Sequence, residues 1–319
     1  MSASHHLPLA ASLRWRGFQL AGAVLQRSGP SGRLLAPLAG RLAWMLAPTQ
    51  RQAVSTNLRI LLPEAPPGRV RQAAIGAFRS VVRYYVELAR VPVSDLRAIH
   101  AAMTVEGYEI VETARAAGHG VIVAGIHLGP TELLLQAFAV RGVSYTAMIE
   151  RLQPPQLNAL FLQWREAHGQ RYVYADVAGA RALLKALRAG GIVALLIDRD
   201  VTGTGVAVPF AGGSVRAPTG VIDLARASGA PIIPAIAQWT RRGTRAIFLP
   251  PITIERTLRA PEAQRAALAA LLRRYLPYLR AHPEQWLVLE PWFVTPAAAV
   301  DGAYTEAERP SAAGREGQG

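Results

Sequence analysis

The stretch Val121-Ile-Val-Ala-Gly-Ile-His127-Leu-Gly-Pro-Thr-Glu132 is the most informative part of this sequence for the fold. Its apolar start is typical of a buried strand, and Gly129 and Pro130 then indicate a turn into a helix. Because α/β proteins bind ligands where strands end, His127 lies at an expected binding edge. A histidine at a strand end and a glutamate in the next helical turn can meet across the turn. We therefore predict His127 as a general base and Glu132 as the carboxylate that orients it, although the bare spacing also suits a structural histidine.

Apolar strands and helices alternate from this stretch onward. Strands are predicted at residues 121–126, 144–149, 192–197, 232–238, 246–254 and 286–290, and helices at 132–140, 155–168, 179–189, 219–228 and 261–281. Apolar strands joined by crossover helices are typical of a sheet that is covered on both faces. The predicted fold class is therefore α/β, with a mostly parallel or mixed sheet flanked by helices.

The residues before this alternating pattern have a different character. Residues 9–100 show helical spacing and little strand signal, which predicts an N-terminal helical layer before an α/β core at 101–295. Basic amphipathic helices of this kind can lie in a lipid interface, although they are also typical of a packed helical layer. Residues 1–8 and the tail at 296–319 are predicted to be disordered.

Composition narrows the classes of function. The 319 residues include no cysteine, which excludes disulfides, thiolate zinc sites and a cysteine nucleophile. The formal charge of +14 comes almost entirely from arginine, since Lys185 is the only lysine. Coding bias explains part of the preference for arginine, but the excess charge still favours an anionic surface such as lipid or nucleic acid. No apolar run approaches the ~20 residues of a spanning helix, and no secretory signal precedes the helices, so we expect a cytoplasmic protein that can lie against a membrane.

A second polar cluster, Asp198-Arg199-Asp200, directly follows the apolar run at 192–197. It is compatible with an internal salt-bridge cluster or with the Asp-x-Asp metal site of a glycosyltransferase. Farther on, the Gly- and Pro-rich run 208–220 leads into a helix, where Arg216 could add positive charge to an anion site. The chain has no nucleophile elbow, no phosphate loop and no His-Glu-x-x-His zinc helix.

These motifs, taken in order, resemble one enzyme superfamily. The set is His127-x4-Glu132, Asp198-Arg-Asp200, Pro209-Phe-Ala-Gly212, Ala217-Pro-Thr-Gly220, Gly229-Ala-Pro231 and His282-Pro-Glu-Gln-Trp286. It is similar to the lysophospholipid acyltransferase superfamily, in the branch of the lipid A biosynthesis lauroyl acyltransferases and the phosphatidylinositol mannoside acyltransferases. The Asp-Arg-Asp triplet looks more like the second group. The resemblance covers about residues 40–293.

The resemblance implies acyl transfer from a coenzyme A or carrier-protein thioester to a hydroxyl of an anionic glycolipid or phospholipid. It implies His127 as the base, Glu132 as its partner, and no cofactor, metal or nucleic acid. The expected location is peripheral, on the cytoplasmic face of the inner or plasma membrane. The residues expected to bind substrate are Glu150, Arg165, Asp198, Arg199, Asp200 and Arg216.

Two other functions stay open from the sequence. A metal-dependent glycosyltransferase would use Asp198 and Asp200, and it would lose activity on chelation. A noncatalytic lipid-binding protein on the same fold would keep its function after His127→Ala.

Overall fold

The computed structural model describes residues 19–20, 22–27 and 34–296. Ten strands are present in this part of the chain. They are β1 (Met103–Glu106), β2 (Val121–Gly125), β3 (Tyr145–Ile149), β4 (Arg171–Tyr174), β5 (Ile192–Leu196), β6 (Val206–Phe210), β7 (Gly213–Ala217), β8 (Ile232–Thr240), β9 (Gly243–Phe248) and β10 (Phe293–Pro296).

Seven of these strands form one mixed sheet in the order β1-β9-β8-β2-β5-β3-β4. All neighbours are parallel except β8 and β9, which form an antiparallel hairpin. The central strand β2 is buried at every position, as expected for a parallel strand with helices on both faces. Its registers with β5 (Gly125↔Leu196) and β8 (Ile122↔Ile232) bring the ends of β2 and β5 to the same edge.

The helices cover the sheet. They are α1 (Ala36–Leu46), α2 (Pro48–Leu61), α3 (Pro67–Arg90), α4 (Leu96–Ala101), α5 (Tyr108–Ala116), α6 (Thr131–Val140), α7 (Pro155–Arg165), α8 (Val177–Arg188), α9 (Gly220–Ser228), α10 (Pro261–Arg273) and α11 (Leu276–Ala281). Leu58 of α2 and Phe78 of α3 belong to the same core as Ile122 of β2. Burial of each such side chain stabilises the fold by about 1.5–3 kcal/mol. The predicted α/β fold class is confirmed, and the helical layer shares its core with the sheet.

Several predicted elements have different boundaries in the structure. Residues 286–290 form no strand and contribute only an isolated bridge, Leu128↔Trp286. The predicted strand 246–254 is β9, which begins earlier, at Gly243, and already ends at Phe248. The predicted helix 261–281 is two helices, because Pro277 has no N–H to continue the hydrogen-bond ladder. Strands β6, β7 and β10, which the sequence did not predict, form a small antiparallel sheet.

The predicted disordered ends lie largely outside the described residues. This applies to residues 1–8 and to the tail after Pro296; residues 9–18, 21 and 28–33 of the predicted helical layer also lie outside them. Pro296 itself ends β10, opposite Gly213.

Candidate active site

His127 lies in a short loop between β2 and α6 that the backbone holds rigidly. Gly129 has a left-handed backbone (φ 66°), and a Cβ there would collide with the carbonyl oxygen of Ala237, so only glycine fits. The amide N–H of Gly129 donates to the carbonyl of Gln285 (2.9 Å), and that of Leu287 donates to the carbonyl of His127 (2.7 Å). The segment around residue 286 therefore clamps the histidine loop from the C-terminal part of the chain.

The acidic partner of His127 is Asp198. Its Oδ1 lies 2.7 Å from Nδ1 of the imidazole, and its two carboxylate oxygens also accept the backbone N–H of His127 at 3.0 and 2.9 Å. Because a carboxylate can only accept here, this contact favours a proton on Nδ1 and leaves Nε2 free to accept one. The imidazole is 25% exposed to the cleft, whereas the carboxylate is fully buried behind it.

The surroundings of Asp198 keep its carboxyl group ionised. Burial alone would raise its pKa, but the His127 imidazole and the hydrogen bonds from His127 and Trp286 outweigh it and hold the pKa below its usual value. Trp286 donates its indole N–H to Oδ2 at 3.1 Å. The phenol of Tyr275 donates to the carbonyl of Ala124 (2.7 Å) and thereby supports β2 just before the histidine loop.

Glu132 does not take the position predicted for it. In the described part of the chain its carboxylate accepts hydrogen bonds from Arg165 (2.6 Å), Tyr84 (3.0 Å) and Tyr172 (3.3 Å), and none from His127. Helix α6 begins at Thr131, so Glu132 lies in its first turn, and its side chain reaches helices α3 and α7 and strand β4 instead. The expectation that Glu132 orients His127 is therefore wrong for this geometry.

The Glu132 contacts form a buried polar wall. Burial by itself would lower the pKa of Arg165, but the Glu132 carboxylate outweighs it and raises that pKa above its ordinary value. Burial also raises the pKa of Tyr84, as does the nearby carboxylate, so the phenol stays a neutral donor. Both members of the Arg165–Glu132 pair are largely buried, and removing one partner of such a pair typically costs about 3–5 kcal/mol.

A cavity of about 900 Å³ opens beside His127 and extends over one face of the sheet. It exists because four neighbouring strands present small side chains to the same face. These residues are Gly125 of β2, Ala147 of β3, Ala194 of β5, and Ala235 and Ala237 of β8. The polar wall with Glu132 and Arg165 lines another part of the same cavity. An apolar channel thus meets polar groups near the imidazole.

Arg199 joins two acidic side chains at this cavity. Its Nη1 donates to Glu150 (2.8 Å), while Nε and Nη2 donate to both carboxylate oxygens of Glu290 (2.8 and 3.0 Å). The hydrogen bonds that Arg199 donates to Glu290, followed by the attraction of both acids, hold the pKa of Arg199 above its usual value despite partial burial. All three side chains line the cavity, so they form a hydrogen-bonding group within reach of a ligand.

Asp200 and Arg216 lie apart from the cavity. Asp200 accepts hydrogen bonds from the backbone N–H of Gly205 (2.9 Å) and from the Arg216 guanidinium (3.3 Å). Neither Asp200 nor Arg216 lines the large cavity. Asp198 and Asp200 are thus each bound to protein donors rather than directed at one shared point. Among the described residues, no cluster of three or more histidine, aspartate or glutamate side chains could hold a metal ion.

Sequence reasoning missed several contributors to this site. Trp286 was noted only as the end of one motif, yet it donates to Asp198, and Glu290 was assigned to a strand without any role. No sequence motif indicated that Tyr84 and Tyr172 belong to the site. They lie on elements far apart in the chain and meet only around Glu132.

Comparison with known proteins decides the family. The family model described as bacterial lipid A biosynthesis acyltransferase matches residues 15–295. The chain belongs to this family. It is an acyltransferase of the lipid A biosynthesis type.

Relatives support the same branch. The chain is 29% identical over 235 residues to the phosphatidylinositol mannoside acyltransferase of Mycobacterium tuberculosis, covering 71% of this chain and 72% of that protein. With the enzyme of the same name from Mycolicibacterium smegmatis it shares 26% identity over 234 residues, covering 72% and 75%. Among solved structures, the 1-acyl-sn-glycerophosphate acyltransferase of Thermotoga maritima overlaps with a TM-score of 0.38 at 15% identity, covering 78% of this chain and 96% of that one.

The surface of this acyltransferase has one long apolar face. Several side chains of helix α1 and the residues before it are exposed, at 54–78% of their area; they are Leu34, Leu35, Leu38, Leu42, Met45 and Leu46. None of the helices that the structure describes is both long and apolar enough to cross a bilayer.

Proposed function

We propose that this acyltransferase moves a fatty acyl group from a thioester, either acyl-coenzyme A or an acyl carrier protein, to a hydroxyl of a glycolipid or lysophospholipid. The single observation that carries the proposal is the His127–Asp198 pair, whose imidazole opens to an apolar cavity while its carboxylate is buried. Asp198 takes the orienting role first predicted for Glu132.

The proton follows a short path in this mechanism. Nε2 of His127 accepts the proton of the acceptor hydroxyl as its oxygen attacks the thioester carbonyl carbon, and Asp198 stabilises the imidazolium through Nδ1. The carbon–sulfur bond then breaks, and the imidazolium returns the proton to the leaving thiolate. An ester and a free thiol result, and no acyl-enzyme intermediate is needed.

The apolar part of the cavity suits an acyl chain. The small residues Gly125, Ala147, Ala194 and Ala235 leave space where larger side chains would otherwise fill the face of the sheet. Each methylene buried there contributes about 0.8 kcal/mol to binding before ordering costs. The polar wall of Glu132 and Arg165 holds helices α6 and α7 in place around this channel and presents a guanidinium to the cavity.

The hydrogen-bonding group at Arg199 suits a hydroxyl-rich acceptor. Arg199 already shares its charge with Glu150 and Glu290, so the three together offer more acceptors than free positive charge. Sugar hydroxyls can bond to both acids and to the guanidinium, whereas a phosphate would be repelled by the acids. Glu150 and Arg199 are therefore proposed to contact a glycolipid ring. Asp200 and Arg216, which lie outside the cavity, are proposed to hold the neighbouring loop.

Peripheral membrane binding accompanies this activity. The exposed face of α1 presents Leu38, Leu42 and Leu46 to the surroundings, and a row of this kind inserts readily into a lipid interface. The net charge of +14 favours an anionic surface such as the cytoplasmic leaflet. Acceptor and enzyme would thereby share one surface.

The test is a direct acyl-transfer assay with His127→Ala. Purified protein is given acyl-coenzyme A or acyl carrier protein together with a phosphatidylinositol mannoside acceptor, and the acylated lipid is measured by mass spectrometry. We expect turnover to fall by roughly 10³-fold or more while the protein stays folded and binds lipid. Comparing the two thioesters identifies the donor.

Three outcomes would redirect the assignment. Acyl transfer that is unchanged in His127→Ala would remove the general-base proposal. Sugar transfer that is lost on chelation would favour the glycosyltransferase. A His127→Ala variant that restores cellular function without any acyl transfer would instead indicate the noncatalytic lipid-binding protein.

A further inference from the structure

A second cavity, of about 500 Å³, lies in the N-terminal helical layer. It is formed where α2 ends and α3 begins, and it shares no lining residue with the large cavity beside His127. Arg59 and Arg71 line it together with the polar side chain of Ser55 and apolar groups that include Leu62 and Val70. Two guanidinium groups therefore border one concave surface.

A tryptophan helps to hold one of these arginines. The guanidinium carbon of Arg71 lies 5.5 Å from the ring centroid of Trp44, and that of Arg51 lies 5.1 Å from the same ring. Two cations against one indole make a locally positive surface, because a tryptophan ring attracts but does not neutralise them.

Acidic partners for these arginines are absent from the part of the chain that the structure describes. Within the described ranges, Arg51, Arg59 and Arg71 form no ion pair with a carboxylate. Glu64 lies in the nearby turn, but it is exposed and does not line the cavity. Positive charge that the protein leaves unpaired beside a cavity is the arrangement that binds an anion.

The position of Trp44 connects this cavity to the apolar face of α1. Trp44 is on the same helix as the exposed Leu38, Leu42 and Leu46. Trp44 itself packs against the core on the opposite side of this helix, so the Arg71 guanidinium that contacts it lies about one helix diameter, ~10 Å, from the apolar face. A free anion would gain no binding energy from the apolar face of α1. The unpaired arginines and this apolar face together therefore favour an anionic lipid as the ligand.

We infer that the cavity bordered by Arg59 and Arg71 binds the phosphate of an anionic phospholipid headgroup, at a site separate from the acyl-transfer cleft. The two guanidinium groups donate hydrogen bonds to the phosphate oxygens, while the acyl chains of the lipid lie along α1. The inference rests on the peripheral membrane binding proposed above. It adds one discrete headgroup site to the general attraction between the positively charged protein and an anionic membrane.

The experiment compares two double variants in vesicle sedimentation. Arg59→Gln/Arg71→Gln removes the cavity charges, and Arg27→Gln/Arg41→Gln removes two exposed charges of the same layer that do not line the cavity. Vesicles are phosphatidylcholine alone or mixed with phosphatidylglycerol. Diffuse attraction alone predicts a loss of at most about 30-fold for any two charges near the surface. We therefore expect the cavity variant to lose more than about 30-fold in partitioning to the mixed vesicles, and the matched control to lose no more than that.

Three other results of these measurements would overturn different parts of the inference. Equal losses in both double variants would overturn the discrete site and leave only diffuse attraction. Displacement from vesicles by millimolar inorganic phosphate at constant ionic strength would overturn the lipid assignment in favour of a free-anion site. Wild-type protein that binds neither vesicle would overturn the inference together with the membrane proposal, while the acyl-transfer assay on detergent-dispersed acceptor would still test the chemistry.

Discussion

Replacing Asp198 with asparagine isolates the charge in the His127–Asp198 pair. The amide has nearly the same shape, so the loop and the cavity should persist, but the imidazolium formed during transfer loses its buried counter-charge. Opposite charges about 4 Å apart interact by about 4 kcal/mol at an effective dielectric constant near 20. At about 1.4 kcal/mol per factor of ten, we expect kcat to fall by roughly 10³-fold.

The assay is steady-state acyl transfer with both substrates varied. Because Asp198 is buried behind His127 and does not line the cavity, the KM values should change little while kcat collapses. Circular dichroism and thermal unfolding verify that the variant is folded. The reasoning would be refuted if Asp198→Asn is folded and its kcat stays within about threefold of wild type. In that case the charge of Asp198 contributes little to catalysis.

Further predictions follow from the same contacts. Glu132→Gln should destabilise the fold by about 3–5 kcal/mol in denaturant unfolding, because it leaves Arg165 buried without its counter-charge, yet its kcat per folded molecule should exceed that of Asp198→Asn by at least about tenfold. A kcat as low as that of Asp198→Asn would return the orienting role to Glu132. Trp286→Phe removes one hydrogen bond to a charged group, worth about 1.5–3 kcal/mol, and should lower kcat by roughly tenfold or more in the same assay. Ala235→Leu fills part of the apolar cavity and should shift the acyl preference to shorter chains in a competition between acyl-coenzyme A lengths; an unchanged preference would place the chain elsewhere.

The pH dependence of stability supplies a separate test of Asp198. Its pKa is lower in the folded chain than in the unfolded one, so the folded state binds that proton less readily. The stabilisation is therefore complete above the unfolded value of about 3.9 and is lost as the pH falls through the lower folded value. Denaturant unfolding of wild type and Asp198→Asn between pH 3 and 7 should show a stability difference that shrinks at the acidic end. A difference that grows there would contradict the shift.

Much of the fold could be predicted from the local pattern. Buried apolar strands that alternate with helices indicated the α/β class, and the position of His127 at the end of β2 followed from the turn at Gly129 and Pro130. The predicted strand boundaries were wrong where a run of apolar residues does not form a strand. Residues 286–289 are apolar because they pack over the histidine loop, and they form no ladder.

The identity of the histidine partner could not be predicted, because it depends on strand order. His127 and Asp198 are 71 residues apart, and they meet only because β2 and β5 are neighbours in the sheet. Nothing in the sequence states that adjacency. Glu132 looked closer, but the first turn of α6 directs its side chain to Tyr84 and Arg165. Proximity along the chain was thus a poor guide to proximity in the site.

The most direct test of the central claim is proton NMR of the His127 imidazole. Nδ1 of His127 lies 2.7 Å from Oδ1 of the buried Asp198. A proton on Nδ1 that hydrogen-bonds to this carboxylate is protected from exchange and should resonate far downfield. We predict that the resonance is present in wild type and in Glu132→Gln and absent in His127→Ala and in Asp198→Asn. A resonance that survives Asp198→Asn but disappears in Glu132→Gln would contradict the account.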